Sequence, residues 1–193
     1  MCQQTCEWTL TRKIILPILP QENYLLILLF SRGEVSVSGI RRKTLAGLEV
    51  GNSFSITRTF TKEDVIRFAD ITRDYNPVHF DERFSGVKNF RGRICHGLLV
   101  ASMISEIGGQ IGWLASEMRF QFRKPVYIGE TISCSLTITR VDHQGRAEAA
   151  AIFRNQESAV VLEALLKGML PGPRELEVMT AMVHEGDPTN KIV

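Results

Sequence analysis

Two spacings of apolar residues divide the chain. Val65, Phe68, Ala69 and Thr72 stand at i, i+3, i+4 and i+7, which predicts an amphipathic helix. Thr61 is placed to cap its start, with Asp64 three residues on. Pro77 disfavours helical backbone for the residue before it, so this helix is expected to end near Arg73–Asn76. A charged, glycine-containing stretch from Phe84 to Cys95 predicts a loop. From Gly97 to Ile107 the apolar positions Leu98, Leu99, Val100, Ala101, Met103, Ile104 and Ile107 run nearly all round a helix, the mark of a buried one. Gly108-Gly109 is expected to stop it.

The second spacing is two. Ser53–Phe60 predicts a strand ahead of the helices. Later, Met118, Phe120 and Phe122 alternate with polar residues, as do Ile132, Cys134, Leu136 and Ile138. Ala147–Phe153 reads as a further strand and Asn155-Gln156-Glu157 as a hairpin turn. Ser158–Leu170 contains good helix formers, but its short distance from the preceding strand makes it the partner strand. Pro171-Gly172-Pro173 ends the pattern, and the last 20 or so residues read as a loose tail. Helices early and strands late predict an α+β fold, an antiparallel sheet covering a central helix. The expected organisation is an extension over 1–43, one domain over 44–171 and a tail over 172–193.

Composition narrows the function classes. The 193 residues are 44% hydrophobic with a net charge of +2, which suits one globular domain and gives no basic surface for nucleic acid. Residues 1–43 hold six basic and three acidic side chains, so the remainder is close to neutral. The apolar stretch Ile14–Phe30 is broken by Pro17, Pro20 and Glu22, too short for the roughly 20 residues of a membrane span. That segment reads equally as a targeting sequence, a poorly ordered extension or translation from an upstream start codon. Four cysteines without a CxxC pair fit a reducing compartment, and the histidine spacing predicts no zinc site. The expected location is the cytoplasm, or the mitochondrion if residues 1–43 are a targeting sequence.

Candidate chemistry concentrates in two places. Asp74, Asn76 and His79 lie within six residues, stiffened by Pro77. A carboxylate and an imidazole on one turn can take a proton from water and give one to carbon. The same residues also make a plain helix-terminating turn. In Cys95-His96-Gly97, glycine opens the start of the buried helix, where a free N–H can hold a developing oxyanion; close helix packing explains the glycine equally well. Cys95 beside His96 is a poor nucleophile pair, since adjacent side chains diverge. Ser102, Ser105 and Glu106 are the polar residues of the buried helix.

Phe68–Asp81, with its D-x-N-P-x-H core, resembles the signature of MaoC-like (R)-specific enoyl-CoA hydratases and 3-hydroxyacyl-thioester dehydratases. Cys95–Ser105 is similar to that family's buried helix, and Phe122–Glu130 to its following strand and turn. The resemblance implies a hot-dog fold, a homodimer with its site at the subunit interface, and an acyl-CoA or acyl-carrier-protein thioester as substrate. It implies reversible hydration of trans-2-enoyl thioesters to (R)-3-hydroxyacyl thioesters without a cofactor. Asp74 and His79 would be the acid/base pair acting through one water, Gly97 the oxyanion donor, and Asn76 and Ser105 supporting residues. Arg73 departs from the family, which commonly has a small residue there; a cation at that place would favour ionised Asp74. Two other readings stand beside this one: a hot-dog thioesterase using Glu106, and a non-catalytic module that binds acyl thioesters.

Overall fold

The computed structural model describes residues 38–187 and 189. The expectations for residues 1–37 lie outside the described residues. The elements are α1 (Gly39–Leu45), β1 (Ser53–Thr59), α2 (Lys62–Thr72), a 3-10 turn (Pro77–His79), α3 (Glu82–Val87), α4 (Gly97–Ala101), α5 (Met103–Ile111), β2 (Leu114–Phe122), β3 (Thr131–Val141), β4 (Arg146–Asn155), β5 (Val160–Met169) and α6 (Pro173–His184). The strands form one antiparallel sheet in the order β1-β3-β4-β5-β2. Segment Ser158–Leu170 is thus strand, as its closeness to β4 predicts, despite its helix formers.

One face of the sheet is the core. Ile132, Cys134, Leu136 and Ile138 of β3, Phe153 of β4, and Met103, Ile104, Ile107 and Ile111 of α5 are buried in one cluster. On that face β4 carries Ala147, Ala149 and Ala151, small side chains that leave volume for the bulky helix residues at close-packed density. This is the α+β arrangement expected, an antiparallel sheet around a buried helix.

Four local expectations need correction. The central helix is two helices meeting at Ser102, whose hydroxyl donates to the Leu99 carbonyl at 2.6 Å. It passes through Gly108-Gly109 and stops at Gly112, which takes the left-handed conformation at φ 78°. Tertiary burial of Ile107 and Ile111 outweighs the modest cost of two helical glycines. The expected loop after Phe84 holds α3, capped by the Asp81 carboxylate. The tail expected to be loose is α6, with Pro173 in its first turn, where its missing N–H costs nothing. Its buried Met179 and Val183 face inward, and α6 packs with α1, inside the segment expected to be an extension. Buried Arg41 of α1 lies 3.7 Å from Asp187, just past α6, and Ser38 bonds Gln110 of α5 at 2.7 Å. The ordered structure therefore reaches beyond 44–171 at both ends.

Candidate active site

The site is built by three segments that meet at one cavity. The first follows α2. That helix starts with the Thr61/Asp64 capping box and ends on Arg73, whose φ of 59° is left-handed, a position usually given to glycine or asparagine. The reversed backbone turns the chain so that Asp74 follows at the rim. The Asn76 N–H donates to Asp74 Oδ1 at 3.2 Å, and Asn76 Oδ1 accepts from the Val78 N–H at 3.2 Å. Asn76 thus orients the Asp74 carboxylate through its backbone, while its side chain caps the 3-10 turn that carries His79. Pro77 opens that turn.

His79 is 7% exposed. Its Nδ1–H donates to the Ile94 carbonyl at 2.8 Å, since a carbonyl can only accept. This leaves the Nε2 lone pair facing Asp74 Oδ2 at 4.0 Å. Burial pushes the His79 imidazole below the usual range, a proton on His96 would push it the same way, and the Ile94 bond and Asp74 oppose the shift. Asp74 keeps half of its side-chain surface in solvent.

The second segment is Ile94–Gly97. His96, which caps α4 and is 2% exposed, donates from Nε2 to the Asp74 backbone carbonyl at 2.9 Å. Its ring stacks on His79, centroids 3.7 Å apart at 30°. The third segment is the end of β2: a Cβ on Gly97 would lie 2.6 Å from Cε1 of the Phe122 ring.

These parts line a cavity of about 680 Å³ with Phe68, Asp74, His79, Gly97, Phe122 and Lys124 on its wall. Asp74, His79 and Gly97, chosen from sequence, therefore come together on one cavity. Ser105 does not join them in this chain. It lines a second, smaller cavity beside Gly108, Trp113 and Met118. Glu106 is held by Arg58 of β1 at 2.7 Å, which gives this carboxylate a structural partner. Cys95 is on the cavity wall, but burial pushes its thiol up to about 12, so it stays protonated.

Asp74, His79 and His96 bring ligand atoms within 4.8 Å of one another, a residue set that suits a divalent metal. The stacked rings oppose it. Imidazole lone pairs lie in the ring plane, and two nearly parallel planes do not converge on one point about 2 Å from both nitrogens.

A model of the MaoC-like domain matches residues 47–160, more than half of the chain. The chain belongs to the MaoC-like family. Its similarity runs to dehydratases and hydratases. A mitochondrial 3-hydroxyacyl-[acyl-carrier-protein] dehydratase of Arabidopsis thaliana is 32% identical over 143 residues, 70% of this chain and 84% of the relative. An (R)-specific enoyl-CoA hydratase of Rhodospirillum rubrum is 32% identical over 96 residues, 48% of this chain and 67% of the relative. The structure of an (R)-hydratase from A. caviae superposes with a TM-score of 0.62 at 27% identity, covering 65% of this chain and 98% of the other. The MaoC-like domain here is accordingly a hot-dog fold, with β2–β5 and β1 wrapped on α4 and α5.

His96, which from sequence entered only as a poor partner for Cys95, lies on this cavity in contact with both Asp74 and His79. Its signal was burial itself: a histidine at the start of an apolar helix must find partners for its ring atoms.

Proposed function

We propose that this MaoC-like domain catalyses the reversible addition of water to trans-2-enoyl thioesters of CoA or a carrier protein, giving (R)-3-hydroxyacyl thioesters. The observation that carries this is the Asp74–His79 geometry. At 4.0 Å the two groups are too far apart for a direct hydrogen bond, and a water oxygen about 2.8 Å from each would bridge them. His79 Nε2 takes the water's proton as the hydroxide oxygen bonds C3. The pair of electrons moves through C2 to the thioester oxygen, which the Gly97 N–H stabilises. C2 then receives the proton back through the pair, so one water supplies both atoms and the enzyme ends unchanged. Asp74 orients the water and stabilises the imidazolium formed in between.

The test is incubation with crotonyl-CoA, following loss of the enoyl absorbance and release of free thiol. Hydration predicts the first without the second. Thiol release would replace this reading with hydrolysis, and neither signal with bound ligand would replace it with a binding role.

Two outcomes follow from the site. Since burial lowers the His79 pKa, its lone pair persists as pH falls through neutrality, and kcat/KM should decline on the acid side with a midpoint below about 6.5. A pH series settles this; a midpoint at or above that value contradicts it. Gly97→Ala should fold, because the atoms it meets are the far edge of one side chain, the Phe122 ring, and none is backbone. The added methyl and displaced ring crowd the oxyanion position, so kcat should drop on the order of 100-fold. Steady-state kinetics beside a thermal melt check both halves.

We further propose a homodimer. Strand β2 is a free sheet edge with Leu114, Met118 and Phe122 exposed, a surface that pairing with a second copy would cover. A supporting role for Ser105 requires that second copy, since within one chain it lines a different cavity. Two of the relatives that the chain matches are named as mitochondrial, which favours a targeting role for the residues ahead of α1, rather than for the whole of 1–43, over a cytoplasmic location.

A further inference from the structure

We propose that His96 is a positioning residue for the acid/base pair: its Nε2–H clamps the backbone of Asp74 while its ring face sets the plane of the His79 imidazole. This rests on the acid/base reading above. It starts from a mismatch between what the pair needs and what holds it locally. Among the described residues the His79 ring has one hydrogen bond, from Nδ1 to the Ile94 carbonyl. A single bond fixes where that nitrogen sits and leaves the ring free to tilt about it, which would sweep Nε2 away from Asp74. Asp74 follows a left-handed residue in an exposed turn, and its carboxylate bonds locally only to the Asn76 N–H two residues on. Neither side chain of the pair is bonded to the other.

His96 touches both. It comes from a segment 22 residues after Asp74, at the cap of α4. Its Nε2–H holds the Asp74 carbonyl at 2.9 Å, and its ring lies against His79 at 3.7 Å. His96 is itself wedged, with Phe68 of α2 at 5.2 Å and Phe80 at 6.3 Å between ring centroids. Among the described residues its buried Nδ1 has no hydrogen-bond partner, and the ring hydrogen sits on Nε2, where the Asp74 carbonyl accepts it. One rigid, buried side chain thus ties the turn carrying the carboxylate to the ring carrying the lone pair, and anchors both to the start of the central helix. Displacements of about 1 Å in such groups cost on the order of 100-fold in rate.

Two substitutions divide the two contacts. His96→Gln keeps an N–H at the reach of Nε2 and removes the ring; His96→Phe keeps a ring and removes the N–H. Each should lower kcat on crotonyl-CoA about 10- to 100-fold with KM changed less than about twofold. A direct readout is nitrogen-15 NMR of the His79 ring across pH. The wild type should show the single Nδ1–H tautomer. In both variants the His79 ring loses the face that fixes its plane or the clamp on the Asp74 turn, so its Nδ1–H and Nε2–H tautomers should mix. The other groups facing that ring are Asp74 and the Ile94 carbonyl, with Arg123 and Lys124 on the same cavity wall; all stay unchanged. Variants that melt lower yet keep kcat and the His79 signals would overturn the proposal, leaving His96 a packing residue. If the wild type hydrates no thioester while the His79 signals still shift in the variants, the positioning role stands and the hydratase reading falls.

Discussion

Asp74→Asn should abolish nearly all hydratase activity, with kcat/KM down about 1000-fold and the melting temperature unchanged. The carboxylate is half exposed, and its described structural contact is the Asn76 N–H, which an amide oxygen accepts equally well. In the proposed mechanism, what the substitution removes is the carboxylate beside Nε2, and with it the orientation of the water and the balance for a protonated imidazole. The matching change at the other member is His79→Asn. His79 is buried and bonded to the Ile94 carbonyl, so alanine would leave an unpaired acceptor and a hole against His96. Asparagine places an N–H near the Nδ1 position, keeps that bond and carries no base. Its activity should fall by a similar factor. Because both groups serve one proton transfer, the double variant should be barely worse than either single one. Two folded single variants that both retain full hydration of crotonyl-CoA would remove Asp74 and His79 from the chemistry.

Gly168→Ala should cost about 3 kcal/mol of stability without touching the site. Gly168 lies on β5 opposite Ala115 of the edge strand. A methyl there would overlap the Trp113 indole nitrogen and the Leu114 carbonyl oxygen. Trp113 is 8% exposed, so its ring has nowhere to go, and the carbonyl is backbone within the β2–β5 ladder. Gly97 makes the opposite case, since what it meets is the edge of a single side chain rather than backbone. Relief at Gly168 would require shifting the edge strand. The midpoint of urea unfolding measures the loss, and a variant within 1 kcal/mol of wild type would show that β2 yields locally at little cost.

Much of this was legible in the chain. The change of apolar spacing from helical to alternating placed β1, α2 and the four late strands, because each element repeats with its own period and all but β2 bury one face in this chain. The D-x-N-P-x-H turn was legible because its residues are neighbours: Pro77 must break the helix, and Asp74 and His79 must then sit close together. Where elements ended was less so. Gly108-Gly109 carries a stop signal of about 1 kcal/mol per glycine, and burying Ile107 and Ile111 together exceeds that. Proline and glycine after β5 also serve as the start of α6, and local sequence does not distinguish the two uses.

The sequence by itself determined the fold class, the family and the acid/base candidates, since these rest on periodicity and on residues close together along the chain. Tertiary structure decided the rest. It put His96 under both members of the pair, moved Ser105 to another cavity and tied Glu106 to Arg58. Each is a contact between residues 17 or more positions apart, or the absence of one, and such contacts depend on how the helix start packs against the turn and the sheet. The two residues that the sequence offers for acid/base chemistry thus share a neighbour, His96, that only packing brings to them.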